Sequence, residues 1–159
     1  MKLTLTHAEE IAAGVREHGG RLGKALSLAV VDAGGFLLLV MRTPGARPLT
    51  PNIAIAKAYS AAVMERPTRM LRDWADSNPG FFAQLSTMGS QPIVATEGGV
   101  TVKRDGEILG GLGVSGGTGA EDQKVCDEVL AGLGYELQFQ AWGGAKQPAV
   151  PQAEETRHG

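Results

Sequence analysis

The stretch from Glu97 to Gly117, EGGVTVKRDGEILGGLGVSGG, limits the fold more than any other part of the chain. Asp105-Gly106 lies between two runs that read as strands, and Asp-Gly suits a two-residue type I′ turn because both positions tolerate positive φ. The second run, Glu107 to Val114, leads into Ser115-Gly116-Gly117. Thr118 then opens a helix with Glu121 three residues on, the spacing of a capping box. The glycines beside that helix start leave backbone N–H groups uncovered, a geometry that can receive an anion or a polar ligand group. A hairpin feeding a capped helix is therefore the centre around which the remaining elements must pack.

The same stretch contains G-x-G-x-x-G at Gly111 to Gly116, after a strand and before a helix. Taken literally this is the dinucleotide-binding fingerprint. The Asp105-Gly106 turn argues against it, because it makes the preceding strand half of a hairpin and not the opening of a βαβ unit. Too little chain follows to complete a nucleotide-binding half. The glycines are better explained by close packing and a tight strand-to-helix turn.

In chain order, Thr6 with Glu9 reads as a first capping box, followed by Ala8, Ile11, Ala12 and Val15 at helical spacing. Ala25 to Asp32 and Phe36 to Arg42 read as two strands of a hairpin, the second apolar on both faces and hence central. Thr50 is the expected cap of a helix with Pro51 at its first position, built of Ala54, Ala56, Ala58, Ser60, Ala61 and Ala62. Small residues of this kind allow close approach to a sheet. A helix capped by Thr68 and a short one holding Phe81, Phe82 and Leu85 follow; then Pro92 to Thr96 reads as another strand. The expected order is α-β-β-α-α-(α)-β-β-β-α. It corresponds to an α+β fold, a five-stranded antiparallel sheet with helices packed against it, in the manner of a profilin-like or PAS-like sandwich. Residues 1–142 form one domain in this reading, and residues 143–159, rich in Gly, Pro, Gln and charge, a disordered tail. Tyr135, Leu137 and Phe139 alternate with polar residues and suit an added strand or a contact between subunits.

At 159 residues and a net charge of −2, the chain has room for a sizeable core and lacks the basic surplus of a nucleic-acid binder. Its apolar runs are too short to span a membrane. MKLTLTHAEE contains no apolar signal-like segment, and Cys126 is the single cysteine, so the expected setting is cytoplasmic. His7, His18 and His158 are scattered, with no zinc-ligand spacing, and no metal site is expected. His18 continues an apolar helix face and reads as a packed histidine; Cys126 reads as a buried thiol. Lys57 is the more informative residue. Within a helix of small residues it either snorkels to solvent or meets an anion in a pocket. Arg42 ends a strand beside a Pro-containing loop, and Glu97 opens the Gly98-Gly99 turn, so Arg42, Lys57, Glu97, Gly98 and Gly99 form the candidate ligand site. With two cations against one carboxylate, such a site would prefer an anionic small molecule.

VVDAGG (Val30 to Gly35), IAIAKAYSAA (Ile53 to Ala62), RPT (Arg66 to Thr68), EGGV (Glu97 to Val100) and DGEILGGLGVSGG with Asp122 together resemble the GlcG/HbpS family, whose relatives include the C-terminal domain of PduO-type proteins. The likeness covers residues 3–134, with the motifs in order. It implies a five-stranded sandwich assembling into dimers or larger oligomers, with haem as the cofactor to consider, and it marks Asp32, Lys57, Gly98, Gly99, Ser115, Gly116, Gly117 and Asp122. Two functions remain open: a small-molecule or haem-binding accessory module without chemistry, forming a homo-oligomer, or an enzyme acting on a small hydroxy or keto acid. In the enzyme, Lys57 or Arg42 would hold a carboxylate and Asp32 or Glu97 would move a proton.

Overall fold

The computed structural model describes residues 1–137. The elements run α1 (Leu5–Leu22), β1 (Ser27–Asp32), β2 (Leu37–Arg42), α2 (Thr50–Met64), a 3₁₀ turn (Thr68–Leu71), α3 (Arg72–Ser77), α4 (Pro79–Leu85), β3 (Gly99–Arg104), β4 (Glu107–Ser115) and α5 (Gly119–Gly132). The fold is α+β with an antiparallel sheet, as the sequence indicates, but among the described residues the sheet has four strands and not five, in the order β2-β1-β4-β3. The missing strand is Pro92 to Thr96. Its backbone groups are taken by side chains: Val94 N donates to Ser60 Oγ at 3.0 Å, Ile93 N donates to Ser86 Oγ at 2.8 Å, and the Thr68 hydroxyl donates to Thr96 O. With these groups bonded to side chains, the segment cannot form a regular ladder.

Both hairpins form, and Asp105 and Gly106 adopt φ of 54° and 77°, as a type I′ turn requires. The Thr118–Glu121 capping box is present in both directions. The first helix differs: Thr4, not Thr6, is its cap, and His7 stands where a glutamate was expected, its Nδ1 accepting from Thr4 N. Thr50 does not cap α2 either. Its hydroxyl donates back to Arg47 O and meets Ser27 Oγ, so Leu49 occupies the cap position without a side-chain bond. The β2 strand lies at the sheet edge and not at its centre. Of the Tyr135 to Phe139 stretch, Glu136 bridges to Lys103 on β3, while Phe139 and the expected tail lie outside the described residues.

Helices cover both sheet faces. On one, α1 and α5 close a core around Ile11, Val15, Leu28, Leu112 and Leu130. On the other, α2 lies chiefly over β4, β1 and β3, with the 3₁₀ turn beside it at β3. The glycine and alanine patterns meet here. A Cβ on Gly113 would collide with Ala54 O, and one on Gly111 with Ala58 O. Ala54 and Ala58, one helical turn apart, thus rest directly on the backbone of β4. The G-x-G-x-x-G pattern is a packing surface for a helix. Gly113→Ala should cost stability at the upper end of the overpacking range of about 1–3 kcal/mol. Gly20→Ala, in α1 with nothing near its Cβ, should instead gain about 0.5–1 kcal/mol. Urea unfolding measures both; equal effects would contradict this packing.

Candidate functional site

Lys57 neither snorkels nor faces an open pocket. It projects from α2 past the end of the sheet to the start of α5 on the other face, and only 3% of the residue is exposed. Its ammonium donates to Val114 O at 2.8 Å and pairs with Asp122 Oδ2 at 3.2 Å. The other Asp122 oxygen accepts from Gly117 N at 3.0 Å. The anion that a buried lysine requires comes from within the chain. Gly98 makes this crossing possible: at φ 108°, a Cβ there would stand 2.8 Å from Lys57 Nζ and 2.9 Å from Asp122 Cβ.

A second layer of bonds fixes the Gly98-Gly99 turn. Gly98 N donates to Gln123 Oε1 at 3.1 Å, and Gln123 Nε2 in turn donates to Asp127 Oδ1. Gly98 O accepts from Val114 N at 2.9 Å and from the Cys126 thiol at 3.4 Å. Gly99 N donates to Thr68 Oγ1 at 3.0 Å. Burial pushes the Asp122 carboxyl above its usual range, against the pull of the Lys57 ammonium and the Gly117 N–H. Burial likewise raises Asp127, and drives the Cys126 thiol far out of reach of ionisation, so Cys126 is no nucleophile.

The structure brings Lys57, Gly98 and Gly99 together with Asp122, Gly117 and Gln123, and separates Arg42 from them. Arg42 pairs with Ser27, which pairs with Ser115 on β4, and Gly99 lies one strand beyond β4. Two strands therefore stand between Arg42 and the Gly98-Gly99 turn. Glu97 faces outward, near the α5 start at Gly119, and lines a cleft of about 320 Å³ with Arg69, Arg72, Ala95 and Thr96. These two arginines were not picked out in the sequence. The RPT motif that precedes Arg69 was the available signal.

A larger cleft, about 440 Å³, opens at the turn end of the β1–β2 hairpin, walled by Lys2, Leu3, Asp32, Phe36, Glu107 and Leu109. Asp32 shapes it: its Oδ1 accepts from Gly34 N at 3.0 Å and Phe36 N at 2.9 Å, holding the turn that presents the Phe36 ring. His18 is packed as expected, Nδ1 donating to Gly14 O at 2.8 Å and Nε2 3.5 Å from Glu128. Among the described residues no group of His, Cys, Asp and Glu side chains could hold a metal ion, and no helix is long and apolar enough to cross a membrane.

These features define a compact α+β domain in which helices on both faces of an antiparallel sheet are tied through a buried ion pair, with clefts at the sheet's margins. The chain belongs to the HbpS-like family: the family model described as "Haem degrading protein HbpS-like" matches residues 3–131. It is 34% identical to protein GlcG of Escherichia coli K12 over 108 residues, covering 68% of this chain and 77% of GlcG. Among solved structures it resembles the PduOC–haem complex, with a TM-score of 0.78, 25% identity and coverage of 87% of this chain and 99% of that one. It also resembles HbpS, with a TM-score of 0.75, 30% identity and coverage of 84% and 92%.

Removing Lys57 would strand a buried carboxylate, so Lys57→Met should cost about 3–5 kcal/mol. The loss should depend on pH. A raised Asp122 pKa means the folded chain holds that proton to higher pH than the unfolded chain. The associated stability is present below the unfolded value, about 3.9, and is lost as pH rises through the folded one. Without Lys57 the folded value climbs further, so the variant should be less destabilised relative to the parent at about pH 5 than at about pH 8. An equal deficit at both, by urea unfolding, would contradict this assignment.

Proposed function

We propose that this chain is a small-molecule-binding accessory protein of the HbpS/GlcG kind, working as an assembly of copies and carrying out no chemistry of its own. The carrying observation is the cleft at the β1–β2 turn. An aromatic ring that is 72% exposed, Phe36, stands at its edge above an apolar wall of Leu3 and Leu109, with Lys2 beside it. Apolar walls with a few polar groups are the usual form of a small-ligand site. The ligand this suits is flat and amphipathic, with an apolar face for Phe36 and polar edges that meet Lys2, Asp32 and Glu107.

Haem has that shape, and the likeness to the PduOC–haem complex and to HbpS supports it. The cleft lining fits the macrocycle better than the iron. Neither histidine, cysteine nor tyrosine is among its walls, His18 is committed to Gly14 and Glu128, and the exposed Met1 is the residue of the lining whose side chain is of a haem-ligand type. Haem bound here would be held chiefly through its ring, with a propionate at Lys2. Titration should therefore give a Soret change without the spectrum of a bis-histidine or thiolate haem, and His18→Ala should leave it intact. Phe36→Ala should weaken binding about tenfold, the equivalent of about 1.4 kcal/mol. A sharp low-spin spectrum abolished by His18→Ala would overturn this reading.

A second reading, an enzyme or binder for a small anionic metabolite, is favoured by Arg69 and Arg72 flanking Glu97 in the 320 Å³ cleft. These two guanidinium groups take the part expected of Lys57 and Arg42. Loss of oxalate or glycolate binding in an Arg69→Ala, Arg72→Ala double variant, measured calorimetrically against a parent that binds, would move the assignment there.

A further inference from the structure

A third cleft, of about 340 Å³, opens where α1 ends and β1 begins. Val15, Leu26 and Pro44 give it apolar walls, Arg16 and Lys24 stand in its lining, and the bare backbone of Gly20 forms part of one side. It lies at the opposite end of β1 from the Phe36 cleft, about 20 Å away for a strand of this length. Thr43 fixes the far wall: its N–H and its hydroxyl both donate to Leu26 O, at 3.2 and 2.7 Å.

Two features of this cleft are not explained by packing. The first is Gly20. Gly19 is confined by Leu26, whose Cδ1 would stand 3.0 Å from an added Cβ, and Gly23 adopts a φ of 67°. Gly20 meets neither demand: it is helical, and nothing lies within 4 Å of the place its Cβ would take. A helical glycine costs stability, and here its effect is to leave the cleft open. The second is Arg16. Arg21 pairs with Glu17 one turn back, whereas the positions three and four away from Arg16 are Ala12, Ala13, Gly19 and Gly20. Lys24 lies 3.5 Å from Glu121 Oε1, but that oxygen already accepts from Thr118 N at 2.8 Å, and the ammonium has protons to spare.

We propose that this cleft binds a monocarboxylate with a small apolar body, the size of a single aromatic ring. The carboxylate meets Arg16 and Lys24, and the body lies on Val15, Leu26 and Pro44. The volume falls within the usual range for small-ligand sites, about 300–1,000 Å³. The carbonyl end of α1 decides against a compact dianion such as phosphate. The Gly23 and Lys24 N–H groups are turned back onto Gly20 O and Gly19 O, at 3.2 and 3.0 Å, and the partial negative charge of a helix C-terminus opposes a second negative charge. This site is independent of both readings above, because it uses none of their residues.

Benzoate is the probe. Titrated into the isotope-labelled chain and followed by amide NMR, millimolar benzoate should shift Gly20, Gly23 and Lys24. Benzyl alcohol and inorganic phosphate should each bind at least about tenfold more weakly. Arg16→Ala should weaken benzoate by about tenfold or more, as expected for one charge-assisted hydrogen bond. Gly20→Phe, which places a ring in the open space, should abolish binding with the circular dichroism unchanged. Phe36→Ala and the Arg69→Ala, Arg72→Ala double variant should bind benzoate as the parent does. Absence of shifts at these amides, or an affinity that Arg16→Ala leaves unchanged, would overturn the inference; should Gly20→Phe not fold, Arg16→Ala decides. Binding lost in Phe36→Ala or in the double variant, but kept in Arg16→Ala, would overturn it and place the carboxylate in one of the other clefts. Phosphate binding as tightly as benzoate would overturn the ligand class.

Discussion

The contact on which the rest of this structure depends is the buried pair of Lys57 and Asp122. It ties the helix on one face of the sheet to the start of the helix on the other, around the sheet's end. Each charge is costly to bury alone, and the pair is tolerable because each charge also has a backbone partner. Val114 O takes one ammonium proton, and Gly117 N–H supports the carboxylate. The Gly98-Gly99 turn must then remain bare of side chains, which accounts for the EGGV motif. The motif residues Lys57, Gly98, Gly99, Gly117 and Asp122 are thus parts of one structural clamp.

With the end of the sheet filled by this clamp, open clefts are found at the sheet's margins. Two of the clefts there differ in character: one is polar, with Arg69, Arg72 and Glu97; the other is more apolar, with Phe36 and Leu109. Both are built on turns and short helices attached to a rigid sheet, where binding residues commonly sit.

Much of the fold was legible because its signals are local. Asp105-Gly106 specifies its turn through φ, Thr118 and Glu121 specify a helix start three residues apart, and the glycines of β4 announce close packing. What could not be read was set by residues distant in sequence. Pro92 to Thr96 has strand-like composition, yet Ser60, Ser86 and Thr68 take its backbone groups. The β2 strand is apolar on both faces, which ordinarily marks a central strand, but here it marks an edge. For Lys57, the sequence offered solvent or an external anion; the actual anion, Asp122, was visible only as a first-turn carboxylate of α5. Arg42 was grouped with Lys57 because it ends a strand beside the Pro-containing loop, and the strand order set them apart.

The central claim is that Lys57 is internal structure and not an anchor for ligand. Lysine acetylation, followed by mass spectrometry on the native chain, addresses it most directly. Lys57 should react only at the rate of global unfolding, while Lys124, which is exposed, should react at once, and no ligand should alter this. Rapid labelling of Lys57 in the free protein, suppressed when a small anion is added, would contradict it.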